Sequence, residues 1–299
     1  MSAVVATGPR ARFGQVVTEL LDERDDLALV YAEISGQYFG QAAHAHPRRV
    51  INVGIREQLL VSTGAGMALN GIRPIVHTFA PFLLERAFEQ IKLDFAHQGV
   101  GGVLVSTGGS FDMSTLGRTH QGPGDVALAA TVPGMVIHAP ATAAEAESVI
   151  RAAVAATGLH YVRLSEQTDA LELPDPARVH VLRQGRGPVT IVALGPVRDA
   201  ALAAAAALDA TVLASATVRP LDVAALRAHA GPQVVVVEPW LEGTSLGAVA
   251  ELLDDAPRRY LAIGTARREL RHYGTPAEHA AAHGLTAAGI LRRIGDWSG

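Results

Sequence analysis

The sequence predicts an α/β protein of two consecutive domains, a parallel sheet covered by helices on both faces followed by a smaller α/β domain. Three observations predict it. Between Arg12 and about Arg163, short apolar runs alternate with longer helical ones. The short runs are apolar at nearly every position, as strands buried on both faces of a parallel sheet must be. A stretch rich in proline, glycine and charge, LELPDPARVHVLRQGRGP (Leu171–Pro188), then breaks the pattern before it restarts. A chain of 299 residues also favours two cores over one. The expected boundaries are 8–170 for the first domain, 171–186 for a linker and 187–299 for the second.

Each element follows from local chemistry. FGQVVTELLDER (Phe13–Arg24) carries helical periodicity, and LALVYAEI (Leu27–Ile34) and RRVINVG (Arg48–Gly54) read as strands. GIRPIVHTF, GGVLVSTGG and GMVIHAP are apolar strands that run into turn residues or polar loops. TAAEAESVIRAAVAATG (Thr142–Gly158) has a threonine start, early glutamates and a glycine stop, the full set of helix boundary signals. Beyond the linker come the strand VTIVALG, the helix VRDAALAAAAAL, the strands ATVLASAT and QVVVVEP, and a closing helix LTAAGILRRI.

Composition excludes several functions. A net charge of −4 argues against a non-specific nucleic-acid binder, which needs a basic face. With no cysteine there is no disulfide, thiolate metal site or cysteine nucleophile. The start MSAVVATGPRARFG lacks a signal peptide's basic and apolar regions, and no apolar run is long enough for a membrane span. The expectation is a cytoplasmic protein without a membrane partner. His44 and His46 in HAHP come without a third ligand, so no metal site is expected on this chain.

Several motifs are weak singly. There is no phosphate loop or dinucleotide fingerprint. GTSLG (Gly243–Gly247) matches the serine-hydrolase elbow, with Asp254 and His272 after it, but Pro239 to Glu242 separate it from the preceding strand. STGGSFDMSTLGRTHQGPGD (Ser106–Asp125) is a long glycine-rich loop that follows a strand directly, where open α/β sheets place ligands, and His120 lies near its end. HTFAPFLLERAFEQI (His77–Ile91) spaces its phenylalanines as a helix would. VINVGIREQLL (Val50–Leu60) places Glu57 at the mouth of an apolar segment, in a first helical turn where the helix dipole favours an acid.

Together, VGIREQ, TFAPF, THQG and GMVIHAPATAAEAESVIRAA come in an order and spacing that resemble the transketolase family, from about Phe13 to Ile294. The resemblance is to its pyrimidine-binding domain followed by its C-terminal domain, an arrangement shared with deoxyxylulose phosphate synthase and the β chains of 2-oxo acid dehydrogenases. It implies thiamine diphosphate as cofactor. Glu57 matches the glutamate that hydrogen-bonds N1′ of the aminopyrimidine and promotes its imino form, and an apolar setting raises such a carboxyl's pKa. Phe82 and Phe79 resemble the platform on which that ring stacks. Ile34 resembles an apolar ring contact, and His120 the loop histidine that hydrogen-bonds substrate oxygens. The implied reaction moves a two-carbon ketol unit from a ketose donor to an acceptor.

The family's G-D-G motif, which holds Mg²⁺ and the cofactor diphosphate, has no counterpart here. The resemblance therefore implies a separate diphosphate-binding partner subunit that holds most of the Mg²⁺ site, in an α2β2 assembly. The sugar-reading positions depart from the family: Gly108 or Gly109 stands for a histidine, Leu116 for an aspartate and Glu166 for a phosphate-binding arginine. Glu85 stands where an aromatic often follows the stacking pair, and EPW replaces a glutamate-x-histidine. These departures leave open an acyl or glycolyl transfer to a lipoyl or thiol carrier protein, like that of a 2-oxo acid dehydrogenase β chain. A non-catalytic subunit is a third reading, opposed by Glu57 and His120.

Overall fold

A computed structural model describes residues 8–298; the first seven residues of the start MSAVVATGPRARFG lie outside the described residues. Twelve strands form two sheets: β1 (Leu27–Tyr31), β2 (Val50–Asn52), β3 (Arg73–Phe79), β4 (Gly102–Thr107), β5 (Val136–His138), β6 (Leu159–Arg163), β7 (His180–Arg183), β8 (Val189–Leu194), β9 (Thr211–Ser215), β10 (Thr217–Arg219), β11 (Gln233–Leu241) and β12 (Arg259–Thr265). The first sheet has the order β10-β5-β6-β4-β3-β1-β2 and the second β12-β11-β8-β9-β7. Both are parallel except for one antiparallel edge strand each, β10 against β5 and β7 against β9.

Alternate strand residues feed two cores, which is why the strands are apolar throughout. Leu27, Leu29, Ile75, Val103, Val105 and Val162 pack under the helices Pro9–Glu23, Gly36–Ala45 and Ala143–Ala155. On the opposite face, Val30, Val76, Leu104 and Tyr161 meet the helix Glu57–Leu69 and the segment from Leu83 to Phe95. That second core continues without a break into Val192, Leu213, Val236 and Trp240 of the second sheet. In the second domain the alanine-rich helix Arg198–Leu208 buries Ala201, Ala204 and Ala205 against β8 and the closing helix, so its low complexity is close packing. Thr142 caps the helix Ala143–Ala155, its Oγ1 accepting from the Glu145 amide at 3.1 Å.

Three local features differ from the sequence reading. The segment 171–186, expected as a linker, carries β7 at the edge of the second sheet. β10 begins two residues after β9 yet leaves that sheet to pair with β5 of the other. Pro81–Arg86 and Ile91–His97 are π-helical turns rather than an ordinary α-helix. Such turns cluster at functional sites, because the wider turn re-aims side chains.

A buried latch joins the domains. Arg198 of the second domain donates to Glu145 at 2.6 Å and to Asp169 at 2.9 Å, all three side chains being at most 5% exposed. Glu145 also accepts from the amides of Ala141 and Leu173 at 2.9 and 2.7 Å, so this buried carboxylate is fully satisfied.

Candidate active site

Parallel strands that share a direction put their carboxyl-terminal loops along one edge, and this is where the expected residues gather. Ile34 follows β1, Glu57 follows β2, Phe79 ends β3 with Phe82 just beyond, Gly108 follows β4 and Glu166 follows β6.

Glu57 opens the helix Glu57–Leu69 and is 2% exposed. Its Oε2 accepts from Arg86 Nη1 at 2.8 Å, which leaves Oε1 without a hydrogen bond. The carboxylate is thus balanced by a guanidinium where the sequence suggested a purely apolar setting. Arg86 in turn lies 4.2 Å over the Phe82 ring, within cation–π range. Phe82, Phe79 and His120 then form an edge-to-face triangle with centroid separations of 5.9 Å (Phe79–Phe82), 5.2 Å (Phe82–His120) and 5.6 Å (Phe79–His120). Thr119 Oγ1 sits 3.0 Å from His120 Nδ1, and among the described residues no protein group hydrogen-bonds Nε2. The structure brings Glu57, Phe79, Phe82 and His120 into one chain of contacts.

The glycines of the loop are required by that packing. Gly108 has φ +69°, and a Cβ there would lie 2.9 Å from Phe79 Cδ1 and 3.0 Å from Met113 Cγ. At Gly109 a Cβ would meet Arg163 Cζ at 2.4 Å. Ile34 is half-buried between Glu33 and Ser35, which both have positive φ, so the turn after β1 is strained on either side of it. Leu116 stands 51% exposed on the loop.

Glu166, which stands for the family's arginine, does not pair with nearby Arg163. Arg163 is fully buried and donates to Asp125 at 2.7 Å and to Ser110 Oγ at 2.5 Å. Glu166 instead faces Arg10 at 3.6 Å across a polar cleft of about 310 Å³ that Tyr38 also lines. Arg10 was not singled out by sequence, and a buried relay orients it. His77 Nδ1 donates to the Val105 carbonyl at 2.8 Å, Ser35 Oγ donates to His77 Nε2 at 2.8 Å, and Arg10 Nε donates to Ser35 Oγ at 2.9 Å. Burial holds His77 down at a pKa of about 3, so its ring is neutral and this tautomer is fixed. Arg86 was missed as well, although its place four residues after Phe82 on a helical pattern was a usable signal.

The serine-hydrolase elbow does not assemble. Ser245 is buried and its amide donates to Glu238 at 3.1 Å, while Asp254 is tied to Arg227 at 2.7 Å. Among the described residues no group of three or more His, Asp or Glu could hold a metal ion, and no helix is long and apolar enough to cross a membrane.

A two-domain α/β chain with an acid, an aromatic platform and a loop histidine at its strand ends is the class that fold and site define. Residues 8–169 match the family described as transketolase, pyrimidine binding domain, and residues 177–290 match transketolase, C-terminal domain. The chain belongs to the transketolase family. It is 42% identical to an "uncharacterized 33.6 kDa protein in fasciation locus" of Rhodococcoides fascians, over 96% of this chain and 94% of that one. It is 33% identical to a 1-deoxy-D-xylulose-5-phosphate synthase of Bordetella petrii, over 94% of this chain and 46% of that protein. The chain thus spans about half the length of such synthases. Among solved structures, one described as "split gene transketolase, inactive beta4 tetramer" superposes with a TM-score of 0.84 at 29% identity, covering 97% of this chain and 98% of that one. A transketolase of Campylobacter jejuni shares the fold at a TM-score of 0.80 and 18% identity, with 96% of this chain and 46% of that one covered.

Proposed function

We propose that this chain is the pyrimidine-binding subunit of a two-component, transketolase-like enzyme that moves a two-carbon ketol unit from a ketose donor to an acceptor. The observation that carries the reading is the continuous contact from Glu57 through Arg86 and Phe82 to His120 and Phe79. These residues fit the aminopyrimidine half of thiamine diphosphate: a buried carboxylate with one oxygen uncommitted, beside two aromatic rings, Phe79 packed against Gly108 and Phe82 carrying Arg86 over one face. When bound, the cofactor supplies the carbon nucleophile and the electron sink for breaking a carbon–carbon bond. Glu57 Oε1 holds the proton at ring nitrogen N1′, and Arg86, 43% exposed, can yield Oε2 without being stranded in the core. Phe79 and Phe82, set at 75° to each other, would supply one face and one edge contact to the ring, and Ile34 an apolar one. His120 Nε2 hydrogen-bonds the substrate oxygen at the reacting carbon.

A partner subunit supplies the Mg²⁺ and diphosphate half of the site. Support comes from the missing G-D-G motif and from Ile55 and Leu59, apolar side chains 68% and 47% exposed on either side of Glu57. The likeness to a split-gene transketolase chain of nearly the same extent points the same way. A second reading, transfer to a lipoyl or thiol group on a carrier protein, is favoured by exposed Leu116, four residues before His120 on the same loop, where an apolar arm would lie better than a sugar hydroxyl. The test is assembly: co-expressed with a chain that carries the G-D-G motif, the complex should bind thiamine diphosphate and turn over ketose. Micromolar cofactor affinity of this chain alone, by calorimetry, would refute the divided site. Turnover with a lipoyl carrier but no sugar acceptor would select the second reading.

A further inference from the structure

A second polar cleft, of about 250 Å³, opens where the His120 loop meets the second domain. Arg118 and Gln121 line it from the loop, and Arg267, Arg268 and Glu269 from the segment after β12. Three guanidinium groups face one carboxylate. Each arginine is held by a different anchor: Arg118 Nε by Glu269 at 3.1 Å, Arg267 Nε by the Glu242 carbonyl at 3.2 Å and Arg268 Nη2 by the Ala282 carbonyl at 2.9 Å. Among the described residues, both terminal nitrogens of Arg267, Arg118 Nη2 and Arg268 Nη1 remain without a protein acceptor. Among the described residues the backbone amides of Arg267, Glu269 and Leu270 also donate to no protein group.

Gln121 decides against a merely solvated basic seam. It is 7% exposed, and its Nε2 is buried with no hydrogen-bond partner. A buried amide donor without an acceptor is costly, so such a group calls for a ligand oxygen. Planar guanidinium forks with free N–H groups suit tetrahedral oxyanions.

We propose that this cleft binds a phosphate-class oxyanion, held by Arg267, Arg268 and Gln121, at a distance from the position that Glu166 closes to phosphate. The anion is either the far end of the substrate that His120 contacts or a separate phosphorylated effector. Only the first of these rests on the thiamine reading. Because Gln121 follows His120 directly, an anion in the cleft adds a contact to the loop that carries the substrate-contacting histidine.

The test begins with the full chain alone, which needs neither cofactor nor partner. Thermal unfolding is followed against potassium phosphate and against potassium chloride at matched ionic strength. Phosphate should raise Tm saturably and chloride should not. The double variant Arg267→Gln/Arg268→Gln, and separately Gln121→Leu, should bind phosphate at least about tenfold more weakly. Broadening of the phosphate ³¹P resonance gives the same affinity for any variant of lowered Tm. Equal responses to the two salts, or wild-type phosphate affinity in the double variant, would overturn the proposal. In the assembled enzyme, phosphate that raises KM for a substrate at constant kcat assigns the cleft to the substrate's own end; a change in kcat at saturation assigns it to an effector.

Discussion

Glu57→Gln separates a catalytic acid from a structural one because the two roles carry different magnitudes here. The side chain contributes to stability in two ways. As an acid in the first turn of the helix Glu57–Leu69 it gains about 0.3–1 kcal/mol from the helix dipole. Its ion pair with Arg86 is discounted to about 0–1 kcal/mol, since that guanidinium is 43% exposed and regains water when released. The substitution keeps shape and hydrogen-bonding capacity, so stability should fall by about 1–2 kcal/mol at most. A group that manages a proton in the reaction contributes about 10²–10⁴-fold in rate, or about 3–5 kcal/mol of barrier. Turnover should therefore fall by at least about 100-fold while Tm moves by only a few degrees. The assay is steady-state ketol transfer by the assembled enzyme at saturating thiamine diphosphate, with calorimetric Tm measured on the same preparations. Turnover within about threefold of wild type at full cofactor occupancy, well short of the hundredfold expected, would show that Glu57 is a helix-start acid and nothing more.

Three further outcomes are expected. Arg198→Met should cost about 3–5 kcal/mol in urea unfolding, because it strands Glu145 and Asp169 as buried carboxylates; a loss under about 1 kcal/mol would mean that the domain junction relaxes around them. Glu238, whose pKa burial raises to about 7 against the hydrogen bonds it accepts from Ser245 and Trp240, binds its proton more tightly folded than unfolded. Its contribution is present below pH 4.5 and is lost as pH rises towards 7, so Glu238→Gln should flatten the stability profile over that window and raise Tm at pH 8; an unchanged profile would place the titration elsewhere. Glu166→Arg should lower KM for phosphorylated relative to unphosphorylated substrates, by replacing a like charge at the cleft with a second guanidinium beside Arg10; an unchanged preference would remove Glu166 from substrate selection.

The parts of the fold legible in the sequence are those set by local pattern. Strands such as Val103–Val105 are apolar on both faces because both faces are covered, and the pattern states this directly. The helix Ala143–Ala155 announces itself through Thr142 and Glu145, and the structure forms that cap. What stayed hidden depends on distant partners. β7 lies in a stretch whose prolines and glycines signal a linker, and it is a strand only because β9 offers an unpaired edge. β10 is three residues long and has no pattern that could show it changes sheets. The π-turn at Pro81–Arg86 has no period of its own in sequence, yet it lets Arg86 reach both Glu57 and Phe82.

For the candidate site, residue order was enough to gather Glu57, Phe79, Phe82 and His120, since strand carboxyl ends share one edge whatever the loops between them do. It was not enough to show what holds His120. The loop from Gly108 to Pro123 is anchored from both domains. In the first, buried Asp112 accepts from Ser165 Oγ, the Glu166 amide and Gln167 Nε2 at 2.8, 2.9 and 2.9 Å, and the second holds it at several further points. Ser110 Oγ donates to the Pro239 carbonyl, the Leu241 amide donates to the Pro123 carbonyl at 2.7 Å, and Ser114 Oγ donates to the Gly274 carbonyl at 3.1 Å. Phe111 leaves its own domain to pack against His279 and His283, each 5.8 Å away in a three-ring cluster, and joins the core of the other. None of these second-domain partners lies within a hundred residues of the loop in sequence. A loop of this length would be mobile if it were free. Fastened at four points to a neighbouring domain, it presents one histidine to the aromatic pair at a fixed angle. The second domain therefore contributes to the site without placing a side chain in it: it helps fix the loop on which His120 stands.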